Sequence, residues 1–198
     1  MAKVYPRAHQ LSSPSSFSPE IQTLTMWMKS LVFNGNGCAI FDSDGRIAYR
    51  VDNYASQCSD EVYLMDHDGR TLSKILRKKL RVRSQWEGYR CDGSIGEGQE
   101  LCWFRARKAG RILRGEKNFE AKVTVGSGSS YKILGSACKG EYKILDVGGE
   151  AVAEVKRKHT SCGVALGEDV LTLMIEPNHD QLLIMSLAIV CGLINHSM

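Results

Sequence analysis

The sequence predicts a mainly β protein, an antiparallel sheet closed around one buried, hydrophobic C-terminal helix. Three observations lead there. The first is Asp180–Asn195, DQLLIMSLAIVCGLIN, where from Leu182 to Ile194 only Ser186 and Gly192 interrupt an apolar run. A helix with no polar face must be surrounded by protein or by lipid. Its apolar run of about 13 residues is short of the roughly 20 that a bilayer span needs. The second is a repeat: CAIFDSDGRIAYRV, VYLMDHDGRTLSKI and YKILDVGGEAVAEV share one pattern. Each is a strand ending in Asp42, Asp66 or Asp146, two further residues, then Gly45, Gly69 or Gly149 and a second strand. The third is period-two alternation, as in Leu24, Met26 and Met28 against Thr23, Thr25 and Trp27, which marks half-buried strands. A helix of 180–195 is about 22 Å long, close to the length of a strand of six or seven residues. A closed sheet supplies it with a wall on every side.

Taken in order, residues 1–20 are rich in Ser and Pro, with SSPSSFSP at the centre. Such a composition buries too little surface to offset its ordering entropy, so a flexible arm is expected before a barrel domain over residues 21–198. Ser13-Pro14 and Ser18-Pro19 have the form of proline-directed phosphorylation sites. Strands begin at Ile21, and NGNG at Asn34–Gly37 is a turn. In the three repeats Asp opens a type I turn by bonding its own backbone, and Gly takes the left-handed position. Asp-x-Asp-Gly at Asp42 and Asp66 superficially suggests calcium, but the further ligands of an EF-hand loop are missing. In Lys74–Arg83, KILRKKLRVR, the alternation sets Leu80 and Val82 on one face and Lys79, Arg81 and Arg83 on the other. LCWFRARKAG carries Arg105 and Arg107 on one face if it is a strand, and Arg111 and Arg114 follow. CDGSIGEGQ reads as an exposed loop and GSGSS at Gly126–Ser130 as a turn. Tyr131–Leu134, Tyr142–Asp146, Ala151–Lys158 and Val170–Glu176 complete the strands. Pro177 ends the last of them, and Asn178 or Asp180 caps the helix.

The formal charge of +4 is unevenly spread, because Arg70–Lys117 holds 14 Lys/Arg against 5 Asp/Glu. This excess either solvates strand faces or forms a patch aimed at phosphate groups. The candidate patch is Lys78, Lys79, Arg81, Arg83, Arg105, Arg107, Arg111 and Arg114. The seven Cys (38, 58, 91, 102, 138, 162, 191) include no C-x-x-C pair, and Met1–Phe17 has no secretory h-region. Free thiols and an intracellular location are expected, cytoplasmic or peripheral at the plasma membrane, with the nucleus open. No nucleophile–base, zinc, Walker or Rossmann signature is present, and the five His (9, 67, 159, 179, 196) are scattered. A non-enzymatic monomer without cofactor or metal is expected.

Three blocks resemble the plant LURP-one-related family, within the tubby C-terminal-like superfamily. They are WMKSLVFNGNGCAIFDSDGRIAYRVDNY (Trp27–Tyr54), LRKKLRVRSQWEGY (Leu76–Tyr89) and GEDVLTLMIEPNHDQLLIMSLAIVCGLI (Gly167–Ile194). The resemblance covers nearly the whole chain. It implies a barrel of about twelve antiparallel strands around the C-terminal helix. It also implies a role in plant defence or stress signalling. The related tubby domains bind phosphoinositide head groups through basic side chains, and the related scramblases act on lipid. No tubby lipid-binding motif aligns here residue by residue, and the cysteine-rich segment and long apolar tail of a scramblase are missing. The function so implied is docking on phosphoinositide-bearing membrane surfaces through the basic patch. The alternatives are a nucleic-acid-associated regulator, which lacks a recognition-helix motif, and a protein-binding scaffold with an incidental patch.

Overall fold

A computed structural model describes residues 17–28, 37–52, 61–79, 84–91, 101–109, 118–136 and 140–194. Twelve strands precede one helix. They are β1 (Gln22–Trp27), β2 (Gly37–Phe41), β3 (Ile47–Asp52), β4 (Glu61–Asp66), β5 (Thr71–Lys79) and β6 (Ser84–Arg90). The second half comprises β7 (Cys102–Ala109), β8 (Asn118–Val125), β9 (Ser130–Ser136), β10 (Glu141–Leu145), β11 (Ala151–Arg157) and β12 (Val170–Ile175). The helix α1 is Gln181–Ile194. Each strand pairs antiparallel with the next, and β12 returns to β1 with Leu24 opposite Leu173. The sheet is a closed barrel, so neither β1 nor β12 presents an open edge that would template aggregation.

The helix lies inside. Every residue from Leu183 to Gly192 is buried, and inward side chains such as Met26, Ile40, Leu64, Ile75, Ile133 and Leu173 surround it. A helix of 14 residues is about 21 Å long, which matches the height of the wall. Its position along the barrel axis is pinned by polar contacts. Asp180 Oδ1 accepts the N–H groups of Leu182 (3.1 Å) and Leu183 (3.2 Å), capping the first turn. Asn178, the other candidate cap, instead turns the chain with φ 62°. Ser186 donates to its own helix at Leu182 O (2.8 Å) and lies 2.9 Å from Ser73 Oγ on β5. Its single proton is used, so Ser73 is the donor between the two hydroxyls. Tyr142 on β10 donates to Ala188 O at 3.0 Å, and burial pushes its phenol well above the usual value.

Two glycines shape the inner wall. The Phe104 ring lies over Gly88 on the neighbouring strand, and the Phe119 ring lies over Gly135. A Cβ at either glycine would sit 2.0 or 2.1 Å from a ring carbon. Each ring thus fills the space its glycine leaves.

The hairpin turns after β2, β4 and β10 are built alike. Asp42 and Asp66 each accept two backbone N–H groups through Oδ1 and Asp146 accepts that of Glu150, and Gly45, Gly69 and Gly149 have φ of 77°, 84° and 85°. A register shift accompanies each turn, at Ile40/Phe41, Leu64/Met65 and Ile144/Leu145. These bulges add the twist and bend that closure needs.

The three turns and the helix entrance share one end of the barrel. The strand ends Lys79, Ala109 and Arg157 share the other end with Ile194, where the helix stops. Residues 17–20, assigned to the arm by sequence, meet the entrance. Phe17 bridges Asp180, and Ser18 O accepts the Asn178 N–H at 2.7 Å. The rest of the arm, most of the NGNG turn and most of CDGSIGEGQ lie outside the described residues.

Candidate functional site

Barrel order decides which basic side chains meet. On β5 the buried Ser73 and Ile75 set the pleat, so the outward positions are Lys74, Leu76 and Lys78. Lys79 ends the strand. The side chain of Lys79, together with Arg81, Arg83, Arg111 and Arg114, lies outside the described residues. On β7, Arg105 and Arg107 are both exposed, and Phe104 and Ala106 point inward.

Lys78 is opposite Gln85, Gln85 opposite Arg107, Arg107 opposite Lys122, and Lys122 opposite Lys132. This is a single outward row across β5, β6, β7, β8 and β9, with Lys78, Arg107, Lys122 and Lys132 exposed. Four strand spacings make it about 19 Å long. The row unites Lys78 and Arg107 from the expected patch with Lys122 and Lys132, which lie outside the charge-rich window. A trace of Lys122 was readable in NFEAKVTV, where it alternates with buried Ala121 and Val123.

The row is unevenly compensated. Arg105, two residues from Arg107 on β7, donates to Glu87 Oε1 at 3.2 Å. Glu87 also accepts from Gln85 Nε2 (2.7 Å) and Tyr89 OH (2.8 Å). Burial alone would raise the Glu87 carboxyl; the hydrogen bonds from Tyr89, Arg105 and Gln85 outweigh it and hold it below the usual range. The Arg105 charge is therefore answered within the wall. Arg107 donates through Nε to the neutral Gln85 side chain and forms no ion pair among the described residues. Lys132 pairs with Glu120 at 3.3 Å. Lys78 and Lys122 form no ion pair among the described residues.

Other cations of the charge-rich stretch have structural posts. Arg77 lies on the inner phase with its guanidinium 5.7 Å from the Trp86 ring centroid. Lys108 lies 6.0 Å from that of Phe119, and burial pulls its ammonium below the usual value. Arg90 is 5.2 Å from the Trp103 ring centroid and 3.4 Å from Asp180.

The wall beyond β9 differs. Glu154 on β11 holds Lys143 at 3.1 Å and Lys156 at 2.7 Å, so both lysines have a carboxylate partner. A shallow groove of about 510 Å³ runs there, lined by Leu134, Ser136, Lys143, Glu154 and Lys156 among others. The turn carboxylates Asp42, Asp66 and Asp146 bond backbone amides, and no cluster of three metal-ligating side chains occurs among the described residues.

The sequence profile of a family described as LURP-one-related matches residues 22–192. The Arabidopsis thaliana protein LURP-one-related 11 is 38% identical, over 98% of this chain and 89% of its own length. LURP-one-related 4 of the same plant is 40% identical, over 98% and 87%. LURP-one-related 3 reaches 43%, over 86% and 78%. An X-ray structure of an Arabidopsis thaliana protein superposes with a TM-score of 0.62 at 15% identity, covering 92% of this chain and 96% of that one. That likeness shows the shared fold.

Proposed function

The chain belongs to the LURP-one-related family, and from that premise we propose a non-catalytic binding module that docks on phosphoinositide-bearing membrane surfaces. The setting is plant defence or stress signalling, as the family resemblance implies. One observation carries the reading: the outward row Lys78, Arg107, Lys122 and Lys132, of which only Lys132 has a carboxylate partner among the described residues. Amines and guanidinium groups so presented form charge-assisted hydrogen bonds to phosphate oxygens. The surface is convex and shallow, so binding is mainly electrostatic, worth about 1 kcal/mol per basic residue near an anionic membrane. No helix among the described residues is long and apolar enough to cross a membrane, and the docking proposed is peripheral.

Co-sedimentation with phosphatidylcholine vesicles, with and without phosphoinositide, tests this. The expected result is binding that requires the phosphoinositide and weakens between 0.1 and 1 M salt, as the Debye length falls from about 10 to about 3 Å. Indifference to these vesicles at low salt overturns it. Salt-dependent binding to duplex DNA without vesicle binding favours the nucleic-acid alternative.

A further inference from the structure

Between β11 and β12 the chain leaves the wall as a small hairpin. Lys158 N–H still bonds Val170 O (2.9 Å), His159 then bridges Ala165, and Leu166 N–H bonds Lys158 O (3.0 Å). The tip is closed by Thr160, which exchanges backbone bonds with Val164 and Gly163 and accepts the Val164 N–H on its hydroxyl at 3.1 Å. Gly163 has φ 79°. The tip is thus largely bonded to itself, yet everything from His159 to Leu166 is exposed. Val164 is 64% and Leu166 50% exposed, and Trp27 on adjacent β1 is 38% exposed.

Single exposed apolar residues are ordinary. This group has two further properties. Its backbone polar groups are largely satisfied internally, which lowers the cost of leaving water. Cations stand at its base: Lys158, which donates to Thr25 Oγ1 at 2.6 Å, beside Arg157 and Lys156, the last paired with Glu154 at 2.7 Å. The nearby carboxylates have partners, Glu168 with Arg157 (3.5 Å) and Asp169 with the Trp27 indole N–H (3.1 Å). Exposed apolar side chains on the hairpin, with an indole and basic side chains level with Val170 at its base, match the layers of an anionic bilayer interface.

The hairpin sits at the barrel end where α1 stops, as do the ends of β5 and β7 beside Lys78 and Arg107. Around the ring of twelve strands, β11 is five strands from β6, which puts the hairpin and the Lys78–Arg107 part of the row on nearly opposite sides of that rim. A wall-on approach cannot engage both; an end-on approach does. We propose that the barrel docks end-on to an anionic phospholipid bilayer. The Lys158–Gly167 hairpin then inserts Val164 and Leu166 into the head-group layer while Lys78 and Arg107 face it from the other side of the same rim. This rests on the docking reading above and specifies its orientation.

The test uses the full chain with an environment-sensitive fluorophore on exposed Cys162 at the hairpin tip, after Cys58, Cys91, Cys102 and Cys138 are changed to Ser. A control carries the probe at Val147→Cys with Cys162 also Ser. Val147 is 78% exposed at the opposite end of the barrel. With vesicles containing phosphatidylserine and phosphoinositide, the Cys162 probe should shift to the blue and the Val147 probe should not. Val164→Asp/Leu166→Asp should lower affinity at least about tenfold at high salt, where the electrostatic part is screened, with an unchanged melt. A Cys162 probe that stays in water while the protein sediments with vesicles overturns the end-on orientation and leaves the docking reading standing. A blue shift at Val147 also overturns it. Wild-type protein that never sediments with these vesicles overturns both.

Discussion

The two faces of the barrel wall obey different rules. Inside, side chains meet at fixed contacts: rings over Gly88 and Gly135, a hydroxyl pair between Ser73 and Ser186, a phenol on the Ala188 carbonyl. Outside, along β5 to β9, Lys78 and Lys122 are exposed and form no ion pair among the described residues. Close-packed interiors resist change because a lost or added atom has nowhere to relax. Exposed charges contribute little to folding and remain available to a partner. Inner substitutions should therefore act on stability, and outer ones on binding.

The largest effect should come from Leu187→Asp. Leu187 is fully buried at the centre of α1, and an unpaired charge there costs several kcal/mol even after relaxation. That is a large share of a typical stability of about 5–15 kcal/mol. Loss of the cooperative melt, or insolubility, is expected; a soluble protein with an unchanged melting temperature would break the contrast between the faces at its inner side.

Gly135→Ala comes next. The added methyl collides with the Phe119 ring, and overpacking of this kind costs about 1–3 kcal/mol. At about 2–4 °C per kcal/mol for a chain of this size, calorimetry should show a drop of several degrees. The double variant Gly135→Ala/Phe119→Leu should lose less than the two single changes together, because the collision is gone.

A smaller effect concerns pH. Glu87 is held below the usual carboxylate range, chiefly by the Tyr89, Arg105 and Gln85 hydrogen bonds acting against burial. On acidification the unfolded chain takes up this proton first, so the stability from Glu87 is present above the ordinary carboxylate value and is lost as pH falls through the folded one. Between about pH 5 and 3 the wild type should lose more melting temperature than Glu87→Gln. Equal losses would remove Glu87 from the account.

These contrasts also explain what the sequence could show. The closed sheet and its helix were legible because Leu182–Ile194 leaves no polar face and because one turn pattern occurs three times. The row was only half legible. Counting charge along the chain gathered Arg77, Arg90 and Lys108, which have posts at Trp86, Trp103 and Phe119. It passed over Lys122 and Lys132, which join Arg107 only through the register of β7, β8 and β9. The ring-over-glycine pairs depend on partners 16 residues apart and left no local pattern.

The buried thiols belong to the inner face as well. Burial pushes Cys38 up to about 12 and Cys191 higher still. In a native thiol titration these two should react far more slowly than exposed Cys162. Rapid modification of Cys191 without unfolding would show that the barrel opens.

The most direct test of the division between faces is Lys78→Glu/Lys122→Glu. Both side chains are exposed, and surface changes of this kind usually move stability by less than about 0.5 kcal/mol. The melting temperature should hold while co-sedimentation with phosphoinositide vesicles at 0.1 M salt falls to the level seen with phosphatidylcholine alone. A variant that melts like the wild type and binds those vesicles as well as the wild type would contradict the account.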